Sequence, residues 1–148
     1  VTEFDTGSPA DTGSPADTSS PAAVTAEVTD PSVYLNCMPM VPEDPVNATW
    51  TTVLNNDRDT DLTVAFTGEL ILTDSTDTLT TSIGLTPDTV TVSGESSLSF
   101  TQSKTDMAIT SAPECSFCGD FFQLNLTAFA GTPDEITIPT LGMVDCVF

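Results

Sequence analysis

Residues 46–54 read VNATWTTVL and residues 62–72 read LTVAFTGELIL. In the first stretch Val46, Ala48, Trp50, Thr52 and Leu54 fall on one side of an extended chain, and Asn47, Thr49 and Thr51 on the other. In the second, Leu62, Val64, Phe66, Leu70 and Leu72 share a face. Side chains alternate across a strand with a period of two, so each stretch reads as a strand buried on one face only. The same parity groups Phe122, Leu124, Leu126 and Ala128, and it predicts Cys146 and Phe148 facing inward in a last strand. Trp50, Phe66, Leu124 and Leu126 are therefore expected in the core.

Outward from these two stretches the alternation continues. Candidate strands are Val24–Val28, Ser32–Met38, Val46–Leu54, Leu62–Leu72, Thr76–Ile83, Thr89–Val92, Ser96–Gln102, Met107–Thr110, Phe121–Ala130, Glu135–Pro139 and Met143–Phe148. Turn formers separate them, as at Pro42 to Pro45, Asn55 to Thr60, Pro87-Asp88 and Gly131 to Asp134. Short strands punctuated this regularly predict an all-β domain over residues 23–148, two sheets packed face to face as a β-sandwich.

Residues 1–22 are different. The hexapeptide D-T-G/S-S-P-A recurs at 5–10, 11–16 and 17–22 without a large apolar side chain in any unit. Phe4-Asp5-Thr6-Gly7-Ser8 spells the active-site turn of an aspartic protease. That chemistry needs two such turns, each at the end of a hydrophobic strand, bringing two carboxylates together to share a proton. Here the second Asp-Thr-Gly follows after six residues with no strand before it, and the third unit drops the glycine. The repeat therefore reads as an extended low-complexity N-terminal arm, whose serines and threonines are candidates for O-linked sugars.

The chain has 22 acidic residues against two basic ones, Arg58 and Lys104, no histidine, and a net charge of −20. Nucleic acid and anionic membrane surfaces would repel it, so neither is an expected partner. Without histidine the commonest general base, the Ser-His and Cys-His nucleophile pairs and the imidazole metal ligands are all missing. No catalytic residue or cofactor is assigned and no enzymatic activity is expected. No apolar run approaches the roughly 20 residues a spanning helix needs. A surface of hydroxyls and carboxylates suits a secreted or cell-surface protein whose leader has been removed.

Four cysteines, Cys37, Cys115, Cys118 and Cys146, are read as two disulfides in an oxidising compartment. The alternatives are a redox pair or half of a zinc site at Cys115-Ser116-Phe117-Cys118. A redox CxxC opens a helix after a strand, which this context lacks, and zinc ribbons use two such pairs. Cys37-Met38-Pro39-Met40 offers soft sulfur, but the methionines are read as packing residues. Asp57, Asp59 and Asp61 look like the start of an EF-hand calcium loop, yet Leu62 stands where that loop needs Gly and Gly68 where it needs Glu. The run is read first as a solvated hairpin tip and second as a Ca2+ site. Two sequons, Asn47-Ala48-Thr49 and Asn125-Leu126-Thr127, place Asn and Thr on the polar face, where attached glycans would fit.

The stretch GLTPDTVTVSGESS at residues 84–97 resembles the strand, proline turn, strand, Gly-Glu-Ser turn, strand run of immunoglobulin-like domains in bacterial surface and extracellular proteins. NNDRDTDLTV at 55–64 is similar to their hairpin before a new strand. The resemblance spans residues 33–148 and implies an Ig-like β-sandwich in an extracellular setting. The antibody-type pair of cysteines bracketing Trp50 is not reproduced, because Cys115 and Cys118 fall in a loop. The functional expectation is a structural subunit of a secreted filament or pilus-like surface appendage. It would assemble with identical subunits through its N-terminal arm or the Val24–Val28 strand. The alternative is a stalked surface module binding calcium or carbohydrate.

Overall fold

Among the described residues the alternation forms nine strands: β1 Val24–Asn36, β2 Val46–Asn56, β3 Leu62–Thr73, β4 Thr78–Ile83, β5 Leu85–Thr86, β6 Thr89–Val92, β7 Ser96–Lys104, β8 Phe121–Ala128 and β9 Ile136–Val147. The computed structural model describes residues 23–38, 44–105 and 114–148. The repeat arm, residues 39–43 and the candidate strand Met107–Thr110 lie outside them.

The strands run β4-β3-β8-β9-β1-β2-β7-β5 in hydrogen-bonded order, with β6 paired to the first residues of β3. β9 divides this path into two layers. Its first part, Ile136 to Met143, is antiparallel to β8, and its second part, Val144 to Val147, runs parallel to β1 at Val33 to Asn36. One layer is thus β4-β3-β8-β9 and the other β9-β1-β2-β7-β5, and β9 serves both. The architecture is an immunoglobulin-like β-sandwich.

The inward faces meet in a single core. Val33, Leu35, Trp50 and Leu54 come from one layer, and Val64, Leu70, Phe122, Leu124 and Leu126 from the other, all at 2 % exposure or less. Phe66, at 5 %, stacks obliquely on Phe100 with ring centroids 5.9 Å apart. Burying a side chain of this size is worth about 1.5–3 kcal/mol relative to leaving it exposed. A four-residue 3-10 turn, Glu114–Phe117, inserts Phe117 under one end of the core.

The structure redraws several boundaries. Val24–Val28 and Ser32–Met38 are one strand, interrupted by a bulge between Thr29 and Ser32 where Asp30 takes a φ of 51°. An extra residue in the bulge lets Thr29 and Ser32 both face outward. Glu135–Pro139 and Met143–Phe148 are likewise one strand. Leu141 and Gly142 look like a break in sequence, but the ladder to β8 continues through them. Phe148 is 81 % exposed instead of buried, because pairing stops at Val147. The inward expectation therefore fails at Phe148, while Cys146, two residues earlier, is half-buried against the core.

Candidate interaction surface

The outer face of β1-β2-β7 is built from the residues that alternate with the core. Register places them in rows across the three strands: Thr25, Asn55 and Ser97; Glu27, Val53 and Ser99; Thr29, Thr51 and Thr101; Ser32, Thr49 and Ser103. Strands lie about 4.8 Å apart and every second residue about 6.8 Å along, so the nine hydroxyls among these twelve positions form a grid, offset in β1 by the bulge between Thr29 and Ser32. Asn55 Nδ2 donates to Thr25 Oγ1 at 3.1 Å. In these rows Glu27 is the one charged residue, on a chain whose net charge is −20. Tyr34 and the sequon residue Asn47 extend the face beyond the last row.

The opposite layer differs. Its outer face carries Glu69 beside Asn125, and an apolar cluster where Phe121 pairs with Met143, two residues from Leu141. Those three side chains are 59–71 % exposed. Asn125 Nδ2 donates to Glu69 Oε2 at 3.0 Å, and Asn125 Oδ1 accepts from Gln123 Nε2 at 2.8 Å. A cavity of about 570 Å³ opens beside them, walled by Glu69, Asp88, Asn125, Thr127 and Thr137 among others. Of the two sequons, Asn125 is therefore engaged on both ends of its amide, whereas Asn47 makes no side-chain hydrogen bond to the described residues. Both asparagines are half-buried on outer faces, and neither is in the core.

Asp57, Asp59 and Asp61 sit in the β2–β3 connection, where hydrogen bonds tie the chain. Asn56, fully buried, donates from Nδ2 to the carbonyls of Thr60 at 2.9 Å and Ser93 at 3.1 Å, and accepts from Arg58 N at 3.1 Å. Asp61 Oδ1 accepts from Gly94 N at 3.1 Å. A Cβ on Gly94 would lie 2.6 Å from the Asp59 carbonyl, so only glycine lets the loop pack this closely. The three carboxylates do not converge. Asn56 went unrecognised as anything but a turn former; its place in the inward register of 46, 48, 50, 52 and 54 was the available signal.

The cysteines pair as Cys37–Cys115 and Cys118–Cys146, which fits an oxidising compartment. Cys115 lies in the Glu114–Phe117 turn and Cys118 directly after it, so the bridges tie this segment to the end of β1 and the end of β9. Among the described residues, Cys37, Cys115 and Cys118 are the one group of three or more potential metal-ligating side chains whose ligand atoms lie within 4.8 Å of one another. No helix among those residues is long and apolar enough to cross a membrane.

No protein-family model and no curated protein sequence matches the chain. Among solved structures it is similar to part of a β-glucosidase from Listeria innocua, crystallised in complex with gluconolactone, at a TM-score of 0.51 and 10 % identity over 84 % of this chain. This chain spans 16 % of that enzyme's length. The periplasmic chaperone SfaE gives a TM-score of 0.41 at 12 % identity, covering 82 % of this chain and 57 % of its own. The ASH/PapD-like domain 7 of human CEP192 gives 0.39 at 9 %, covering 99 % and 98 %. At such identity the likeness concerns fold alone.

Proposed function

We propose that the chain is a non-catalytic structural subunit of a secreted filament or cell-surface appendage, and that copies pack through the hydroxyl face of β1-β2-β7. A face with nine hydroxyl side chains and one carboxylate, on a chain of charge −20, is the observation that carries this reading. Two such chains repel one another, and each copy of this face brings a single carboxylate, Glu27, to the contact. Hydroxyls both donate and accept, so two copies of the face can satisfy each other about a twofold axis, and the N-terminal arm reaching a further copy would supply the second contact that a filament needs. Val24 to Val28 pair with Thr52 to Asn56 of their own domain, which leaves residues 1–22 as the arm available to a neighbour.

Electron microscopy and light scattering of the full chain at high salt test the reading. Regular assemblies are expected, lost on Thr51→Glu with Thr101→Glu in the centre of the grid and weakened on deletion of residues 1–22, which spares β1. A full chain that stays a monodisperse monomer, or a double variant that assembles like the parent, rejects it.

The cavity beside Asn125 favours a second reading, a stalked module that binds neutral carbohydrate through Glu69, Asp88 and Asn125. Calorimetry with neutral oligosaccharides distinguishes it from the first. Calcium at Asp57, Asp59 and Asp61 belongs to this reading and requires Asp61 to leave Gly94.

A further inference from the structure

The two disulfides meet. Cys37 Sγ lies 3.6 Å from Cys118 Sγ across the gap between the bridges, and the sulfurs of Cys37, Cys115 and Cys118 all fall within 4.8 Å of one another. Cys146, bonded to Cys118, supplies from β9 a fourth sulfur, which lies more than 4.8 Å from at least one of the other three and must swing inward once its bridge opens. In a tetrahedral zinc thiolate site the metal–sulfur distance of about 2.3 Å sets neighbouring sulfurs roughly 3.8 Å apart. The separation between the bridges is already of that size, and Cα–Cα distances of 5.9 and 5.7 Å within them leave room for each pair to open without moving the chain far.

The backbone around the cluster is held independently of the sulfur bonds. Cys37 N donates to Val147 O at 2.8 Å, Gly119 N to Val144 O at 2.9 Å and Val144 N to Asp120 O at 2.8 Å. These bonds join the end of β1 to the end of β9, and β9 to the residues directly after Cys118, while buried Phe117 anchors the segment between Cys115 and Cys118 in the core. Reduction therefore removes the bridges and leaves their four positions gathered.

We propose that, with both bridges reduced, the four cysteines form a tetrathiolate site for zinc. Each bridge takes two electrons and two protons from a dithiol, which leaves as its own cyclic disulfide. The four thiols then release four protons to solvent as they bind one Zn2+, giving a site of charge −2. Four thiolates select a soft or borderline ion over Ca2+ or Mg2+. The zinc staples the same three points of the fold as the bridges do, so the domain has two interchangeable clasps, one for a reducing and one for an oxidising compartment.

Cobalt(II) is the probe. The full chain is reduced with a dithiol, freed of it without oxygen and titrated with Co2+. Expected are one ion per chain, the near-ultraviolet sulfur-to-cobalt charge-transfer band, the visible bands of tetrahedral cobalt, and their disappearance when Zn2+ is added. Trp50, the single tryptophan and 2 % exposed, reports the fold. Its emission should be that of a buried indole in the reduced chain, both metal-free and loaded. Cys115→Ser and Cys146→Ser should each lower the charge-transfer intensity. Octahedral cobalt bands, no charge transfer, a stoichiometry other than one, or intensity indifferent to both substitutions would overturn the proposal. So would cobalt bound by a chain whose Trp50 emits as a solvated indole, since that is chelation by an unfolded chain.

Discussion

Inside the β1-β2-β7 layer, Gln102 accepts hydrogen bonds from Trp50 Nε1 at 3.1 Å and from Thr52 Oγ1 at 2.6 Å, and donates to the Pro87 carbonyl at 2.8 Å. All of the Gln102 side chain is out of solvent. A leucine of similar size would strand three polar partners, and each buried unsatisfied group costs about 1–3 kcal/mol. Gln102→Leu should therefore destabilise the domain by roughly 2–4 kcal/mol in urea unfolding, more than its gain in apolar area returns. Lys104 shows the same asymmetry between losing a partner and losing the pair. Its side chain is 2 % exposed and its ammonium contacts Asp44, which is 32 % exposed. Asp44→Ala leaves a buried charge unpaired, at a cost of about 3–5 kcal/mol, whereas Lys104→Met removes the charge itself and should cost clearly less. Unfolding midpoints of the two variants in the reverse order would refute this account.

Among the elements, β9 carries the greatest demand, because it leaves one sheet and joins the other within its length. Gly142 pairs with Phe122 just before that change, and a Cβ there would sit 2.5 Å from the Phe122 ring. Gly142→Ala must push the ring or the strand aside, an overpacking cost of about 1–3 kcal/mol. Hydrogen exchange should show the loss concentrated in β8 and β9, and uniform weakening would contradict the local cause. The β3–β4 turn is held by one carboxylate. Backbone N–H donation from Thr76 and Asp77, with the Thr76 hydroxyl, holds the Asp74 pKa below its usual value. A depressed folded-state pKa stabilises the turn at every pH above the ordinary carboxylate value, and the contribution fades as pH falls through the lowered one. In an acid titration followed by NMR, the Thr76 and Asp77 amides should keep their positions until below the pH at which free aspartate protonates. Movement above that pH would place the carboxylate outside the turn.

On the scale of the whole molecule, charge dominates. With 22 acidic residues against two basic, and both Arg58 and Lys104 already paired with aspartates, self-repulsion opposes the compact state. Salt screens charges over about 8–10 Å at 0.1–0.15 M, so the thermal midpoint should climb with sodium chloride and association should strengthen in parallel. A midpoint that is flat in salt would mean that the carboxylates are spaced too widely to matter.

How much of this was written in the residues differs by feature. Strand parity in VNATWTTVL, LTVAFTGELIL and FFQLNLTA placed Trp50, Phe66, Leu124 and Leu126 in the core, since a period of two leaves one face no choice once the other is polar. The all-β class and an even set of cysteines followed from local pattern alone. The pairing of Cys37 with Cys115 and of Cys118 with Cys146 did not, because three connectivities suit four cysteines and distance in space selects among them. Nor did the hydroxyl grid. Each of its strands showed alternate threonines and serines, but only the register of β1 on β2 and β2 on β7 lines them up and shows that a single charge falls among them. Local alternation depends on neighbours in the chain and can be read from it, whereas a surface, a buried amide such as Gln102 or a meeting of sulfurs depends on which strands become neighbours, and tertiary packing decides that.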